Sequence, residues 1–163
     1  MSALLLLASL LLSPNLTYIA RIAAATEPGE RMVITGTVLK SDGRTPAPGV
    51  VLMLYHTNAQ GIYPRRPGDP REGYLRGWLR TDGQGRYRIE SIRPGGYPGR
   101  QDPAHIHVVL KSERNEPDRS LEAIVFADDP RVRAYRGTEH FHVVTLVKRN
   151  GVWTGTRNLV LPK

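Results

Sequence analysis

From residue 30 to its C-terminus the chain reads as short apolar runs punctuated by turn residues. Runs of strand character cover residues 32–39, 50–55, 77–81, 85–92, 106–110, 123–126, 141–147 and 152–161, with Gly, Pro, Asn or Asp between them. Alternation is clearest in the fourth run: Tyr87, Ile89 and Ser91 point one way, Arg86, Arg88 and Glu90 the other. On this reading Tyr55 and Tyr87 both occupy inward, core positions. Eight short strands with tight turns predict an all-β fold, a β-sandwich of mostly antiparallel strands with long functional loops. The only helix expected is a turn or two within residues 129–136. There is no internal repeat and no heptad pattern.

Composition bounds this picture. A chain of 163 residues that is 40% hydrophobic can fill one core, and 16 glycines with 13 prolines argue against long helices. The net charge of +8, from 23 basic and 15 acidic residues, is scattered along the chain. Aromatic residues are not interleaved with the arginines as a nucleic-acid surface requires, so no nucleic-acid partner is expected. The N-terminus differs. Residues 3–12 are small and apolar, and Ala23-Ala24-Ala25 matches a small-residue cleavage pattern, although no Lys or Arg precedes the apolar run. Residues 1–25 are therefore expected to be a signal peptide or a disordered segment, followed by a single domain at 26–163. The protein would then be secreted or periplasmic, and otherwise cytoplasmic. The run falls short of the roughly 20 apolar residues of a bilayer-spanning helix, so no stable membrane span is expected. The absence of cysteine is compatible with either compartment.

The candidate chemistry sits in four residues. His105 and His107 lie two apart in an apolar strand, so the pleat aims both imidazoles at one face. Such a pair alone serves equally as a zinc or copper half-site or as an ordinary strand face. Tyr97 lies in Arg93-Pro94-Gly95-Gly96-Tyr97-Pro98-Gly99-Arg100, a loop stiffened by its prolines, and Tyr63 follows the Gly-containing loop Asn58-Ala59-Gln60-Gly61-Ile62. Two phenolates with two imidazoles make a hard, anionic donor set suited to a ferric ion. Taken singly, either tyrosine could be a packing residue at a sandwich corner. Tyr74 competes with Tyr63 for the ligand role. A second His-x-His pair, His140 and His142, has no tyrosine loop and reads as packed or partly exposed. His56 is placed beside the site.

Four segments in register resemble the intradiol ring-cleavage dioxygenases, the family of protocatechuate 3,4-dioxygenase and catechol 1,2-dioxygenase. They are Tyr55-His56-Thr57-Asn58-Ala59-Gln60-Gly61-Ile62-Tyr63, Leu79-Arg80-Thr81-Asp82-Gly83-Gln84-Gly85-Arg86-Tyr87, Ile92-Arg93-Pro94-Gly95-Gly96-Tyr97-Pro98 and Pro103-Ala104-His105-Ile106-His107. The resemblance implies a non-haem Fe(3+) held by Tyr63, Tyr97, His105 and His107 with a solvent hydroxide. Tyr63 would stay bound, and Tyr97 would be displaced by the incoming catechol. With O2, cleavage between the two hydroxylated carbons would give a muconate-type dicarboxylic acid. Family members frequently assemble, so a homo-oligomer is an implied state. An anionic product favours a positive site, with Arg65, Arg66, Arg76, Arg80 and Arg100 as candidates.

Two positions depart from the family pattern. Asp102 stands where members carry an arginine before Pro-Ala-His-x-His, which leaves Arg100 as the candidate catalytic replacement; Glu122-Ala123 stands near the place of a family glutamine. The rival reading is a non-enzymatic β-sandwich module of the transthyretin or carboxypeptidase-regulatory kind. Its turn-strand phrases around Gly36, Ala47-Pro48-Gly49 and Asp82-Gly83 are present, but they speak to fold alone.

Overall fold

The computed structural model describes residues 15–112, 116–134 and 141–163. Eleven strands are found among them: β1 (Ile19–Arg21), β2 (Arg31–Leu39), β3 (Val51–Tyr55), β4 (Arg76–Arg80), β5 (Arg86–Ile92), β6 (His105–Leu110), β7 (Arg119–Phe126), β8 (His142–Val144), β9 (Val147–Arg149), β10 (Val152–Thr156) and β11 (Leu159–Val160). One short helix, α1 (Pro130–Ala134), follows β7. It falls within the expected helical stretch, whose last two residues lie outside the described ones.

The strands form two sheets, as a sandwich requires. The first runs β1-β5-β2-β10-β9, with β11 beside the far end of β2; the second runs β4-β3-β6-β7-β8. Alternation decides what each buries. Met32, Ile34, Val38, Tyr87 and Ile89 of the first sheet share one buried cluster with Leu52, Leu54, Leu79, Ile106, Val108 and Ile124 of the second.

Differences from the expected strands have local causes. The run 152–161 breaks in two because the Arg157 carbonyl accepts the Tyr87 hydroxyl at 2.6 Å and the Asn158 side chain accepts the Thr37 N–H at 3.0 Å. The antiparallel expectation holds for β2–β5, β3–β4, β3–β6, β6–β7 and β9–β10. The pairs β1–β5, β2–β10, β2–β11 and β7–β8 are parallel.

β1 was not expected as a strand. Ala20, Ile22 and Ala23 are buried in the core, so the packed part of the chain begins before Thr26. Residues 1–14, which contain the apolar run, lie outside the described residues.

Tyr55 corrects a second expectation: it is not a core residue. On β3 the buried positions are Leu52 and Leu54, so Tyr55 points to the other face of the sheet. β6 has the same arrangement, with Ile106 and Val108 inward and His105 and His107 outward. The outer face of the second sheet is thus a polar and aromatic floor, covered by the loops that follow β3 and β5.

Candidate metal centre

Strand register sets the floor. Tyr55 and His107 are directly opposed across β3 and β6, and their rings stack at 4.4 Å with 14° between planes. His105, two residues earlier on the same strand face, donates from Nδ1 to the Pro103 carbonyl at 2.7 Å. That bond sets the tautomer and leaves the Nε2 lone pair facing His107 Nε2, 3.0 Å away.

Two loops bring the tyrosines over this floor. The Asn58 side chain accepts the N–H groups of Gln60 and Ile62, closing the first loop, and its carbonyl accepts the N–H of Gly95 at 2.9 Å, tying that loop to the second. The Thr57 hydroxyl adds a bond to the Gly95 carbonyl at 2.7 Å. The loops press backbone on backbone: a Cβ at Gly61, whose φ is +80°, would lie 2.0 Å from the Gly96 carbonyl oxygen. Only glycine permits this approach, and it carries Tyr63 onto Tyr97.

The four donor atoms converge. The Tyr63 and Tyr97 hydroxyls share a hydrogen bond of 2.6 Å, and the Tyr97 oxygen is 3.3 Å from Nε2 of both His105 and His107. Metal–ligand bonds of roughly 2.0–2.2 Å place neighbouring donors about 3 Å apart, so the set fits a single first-row ion. Nitrogen and oxygen donors without thiolate suit a hard cation. Among the described residues no three His, Cys, Asp or Glu side chains cluster for a metal, so the tyrosines are what complete this site.

Electrostatics point the same way. Burial, and then the proton-sharing contact with Tyr97, push the Tyr63 phenol far above its ordinary value. Burial pushes His107 down to about 4, with the neighbouring His105 and His56 adding to the effect. The His107 imidazole is thus neutral and available as a ligand at ordinary pH, whereas the Tyr63 phenol ionises only if a cation stabilises it.

Asp129 and Arg131, neither singled out in the sequence, clamp the site from the side. Asp129 accepts the Ala104 N–H at 2.8 Å, and Arg131 donates to the Asp102 carbonyl at 3.1 Å. The Arg131 guanidinium also lies against Gly96, where a Cβ would be 1.9 Å from its Nη1. The clamp holds both ends of the loop joining Tyr97 to His105. His56 lies buried behind them. Its Nδ1–H donates to the Thr57 carbonyl and its Nε2 accepts from the Ser91 hydroxyl, both at 2.7 Å. It is a supporting residue and does not line the cavity.

Over the donors lies a cavity of about 300 Å3, walled by Tyr55, Tyr63, Arg71, Glu72, Tyr97 and His107. None of the five arginines expected to make it positive is in that wall. Arg65 donates to the Asp69 carbonyl, Arg66 covers the Tyr74 ring, Arg76 donates to the Gly73 carbonyl and Arg80 to that of Gly49. Arg100 pairs with Asp102 at 2.7 Å and lies 5.4 Å from the Tyr97 ring centre, its side chain 65% exposed. Tyr74 is turned to Glu27 and does not compete for the ligand position. His142 is buried 3.9 Å from Glu122, and His140 is outside the described residues.

Comparison with known proteins identifies the family. A family model described as Dioxygenase matches residues 13–135. The chain is 37% identical over 94 residues to the protocatechuate 3,4-dioxygenase beta chain of Burkholderia cepacia, covering 50% of this chain and 39% of that one. It is 28% identical over 120 residues to catechol 1,2-dioxygenase of Acinetobacter baylyi, covering 62% and 38%. The chain therefore spans about two fifths of the length of these curated relatives. Among solved structures, the dioxygenase domain of a dioxygenase carbohydrate-binding protein fusion from Streptomyces sp. SirexAA-E superposes with a TM-score of 0.68 at 24% identity, over 87% of this chain and 86% of that one. With a family model spanning most of its length and relatives of both catechol and protocatechuate type, the chain belongs to the intradiol ring-cleavage dioxygenase family.

Proposed function

We propose that this protein is a non-haem Fe(3+)-dependent dioxygenase that opens a catechol-type ring with O2 between its two hydroxylated carbons, giving a muconate-type dicarboxylic acid. The observation that carries the reading is the chain of contacts, 2.6–3.3 Å long, that joins the Tyr63 and Tyr97 hydroxyls to each other and the Tyr97 oxygen to Nε2 of His105 and His107. A binding module of the transthyretin type has no use for such a set, and a zinc or copper site leaves two phenols without a role.

When bound, the ferric ion supplies Lewis acidity, which lowers the pKa of coordinated phenols and activates the catechol ring toward oxygen. Tyr63, His105 and His107 would hold the ion. Tyr97 would be the tyrosinate displaced by an incoming catechol, its phenolate oxygen taking one of the two catechol protons and a solvent hydroxide the other. Its position supports this role: residues 98–100, which follow it, are exposed, whereas Tyr63 is tied in by the Asn58 loop. Tyr55 stacks on His107 and holds that ring in plane for its ligand role. Arg100, paired with Asp102 beside the Tyr97 ring, is the counterpart proposed for the arginine that the family places at position 102, although it stands outside the cavity wall.

Colour tests the proposal. Iron-loaded protein is expected to show a strong visible tyrosinate charge-transfer band that shifts on anaerobic addition of catechol, and admission of oxygen should release a ring-opened acid. Tyr63→Phe and Tyr97→Phe should each weaken the band. Each should lower turnover by more than the roughly 10–100-fold typical of losing a residue that merely supports a metal ligand. A colourless protein after iron loading would refute the assignment.

A further inference from the structure

Two residues of the cavity wall have no part in that scheme, Arg71 and Glu72 of the loop between β3 and β4. Arg71 is exposed at the rim, while Glu72 is half-buried. Neither makes a hydrogen bond or ion pair with another described residue, although arginines lie close by in sequence. Those neighbours are engaged elsewhere: Arg65 at the Asp69 carbonyl, Arg66 on the Tyr74 ring and Arg76 at the Gly73 carbonyl.

The negative charge of Glu72 acts on both Tyr55 and Tyr63, whereas the positive charge of Arg71 acts on Tyr55 in the opposite sense. Glu72 is therefore the charge that reaches toward the donor set. A half-desolvated carboxylate without a donor is unfavourable until something brings it one. A cavity of about 300 Å3 is at the lower end for small-molecule sites and suits a single ring. With its two vicinal hydroxyls turned to the four metal donors, such a ring presents its remaining edge to the wall.

We propose that Glu72 is a specificity-determining residue: it accepts a hydrogen bond from a third polar substituent, a hydroxyl or an amine, on the catechol ring, and it repels ring carboxylates. This rests on the ring-cleaving reading of the site and adds the substrate class. The preferred substrate is a catechol carrying an extra hydrogen-bond donor, with the unsubstituted ring second and the carboxylated ring last.

Three probes separate the cases: hydroxyquinol, which has a third ring hydroxyl, catechol itself, and protocatechuate, which has a ring carboxylate. Binding is followed anaerobically at the visible band, and kcat/KM is measured in air. Wild-type protein should favour hydroxyquinol over catechol by about tenfold or more, as a hydrogen bond to a charged acceptor would give, with protocatechuate weakest. Glu72→Leu should bring the hydroxyquinol-to-catechol ratio close to one and raise protocatechuate relative to catechol. Glu72→Gln, nearly isosteric, should keep part of the hydroxyquinol preference and lose the discrimination against protocatechuate. A band that responds alike to all three probes in wild type and both variants overturns the role of Glu72 and leaves the metal reading standing. So does a wild-type preference for protocatechuate. Absence of any band overturns both readings.

Discussion

His56 is the most deeply buried ionisable group near the centre, and its environment makes a pH prediction. Burial holds it down to about 4, against an ordinary value near 6.5. Between those values the unfolded chain takes up a proton that the folded chain refuses, so stability rises with pH and is lost as pH falls through the window. The loss amounts to about 3 kcal/mol by pH 4. Denaturant unfolding of metal-free protein at pH 7 and pH 4.5 checks it: the midpoint should fall at the lower pH, and His56→Gln should reduce the difference, leaving the part due to His107. An unchanged wild-type midpoint would contradict the assignment. Single residues also mark how much of the site could be read beforehand. Tyr63, Tyr97, His105 and His107 were identifiable because each sits in a short motif with its own turn or strand chemistry. Tyr55 was misplaced because residues 50–54 are apolar without alternation, so neither phase of the strand carries a polar marker. Glu72 and Arg131 had no signal, since their relevance arises from what packs against them.

Between the elements, the clamp from α1 explains how two loops of ordinary turn residues hold a tight donor set. Arg131 and Asp129 bond to the backbone of residues 102 and 104 and press on Gly96, so the loop from Tyr97 to His105 is held at both ends. Arg131→Met keeps much of the stem volume and removes the directed contacts. It is expected to weaken iron affinity about tenfold, as loss of a support for metal ligands does, while far-ultraviolet dichroism stays that of the parent. A shift in the energy of the visible band would mark the displaced Tyr97, a change that a general loss of stability does not produce. Arg131→Lys should recover part of it. Unaltered affinity and colour in Arg131→Met would show that the loop needs no clamp.

The molecule separates its duties by face. The inner faces of both sheets form the apolar core, and the outer face of the second sheet carries the donors, so substitutions at the centre need not disturb the core. β1 belongs to the structural side. It pairs with β5 of the first sheet, and just before it the Thr17 carbonyl accepts the Arg80 N–H of β4 in the second, so β1 and the residues that lead into it bridge the two sheets at one edge. A chain beginning at Thr26, the end point of cleavage after Ala25, would lose those bonds and the buried Ala20, Ile22 and Ala23. Removing a buried isoleucine and its small neighbours is expected to lower stability by roughly 3–5 kcal/mol relative to a chain beginning at Asn15. Thermal melts of the two chains decide it, and equal melting temperatures would show β1 to be dispensable. Among the described residues no helix is long and apolar enough to cross a membrane.

Local pattern was enough for the sandwich class, for most strand positions and for singling out the four side chains that come together above the second sheet, because a two-residue period and a glycine turn are written in neighbouring residues. The parallel pairing of β1, β10 and β11 was not written there, nor the outward turn of Tyr55, the clamp of Arg131 or the unpartnered carboxylate of Glu72. Each of these depends on which distant segments come to lie side by side. That is settled only when the two sheets close on their common core and the loops above the second sheet are forced together.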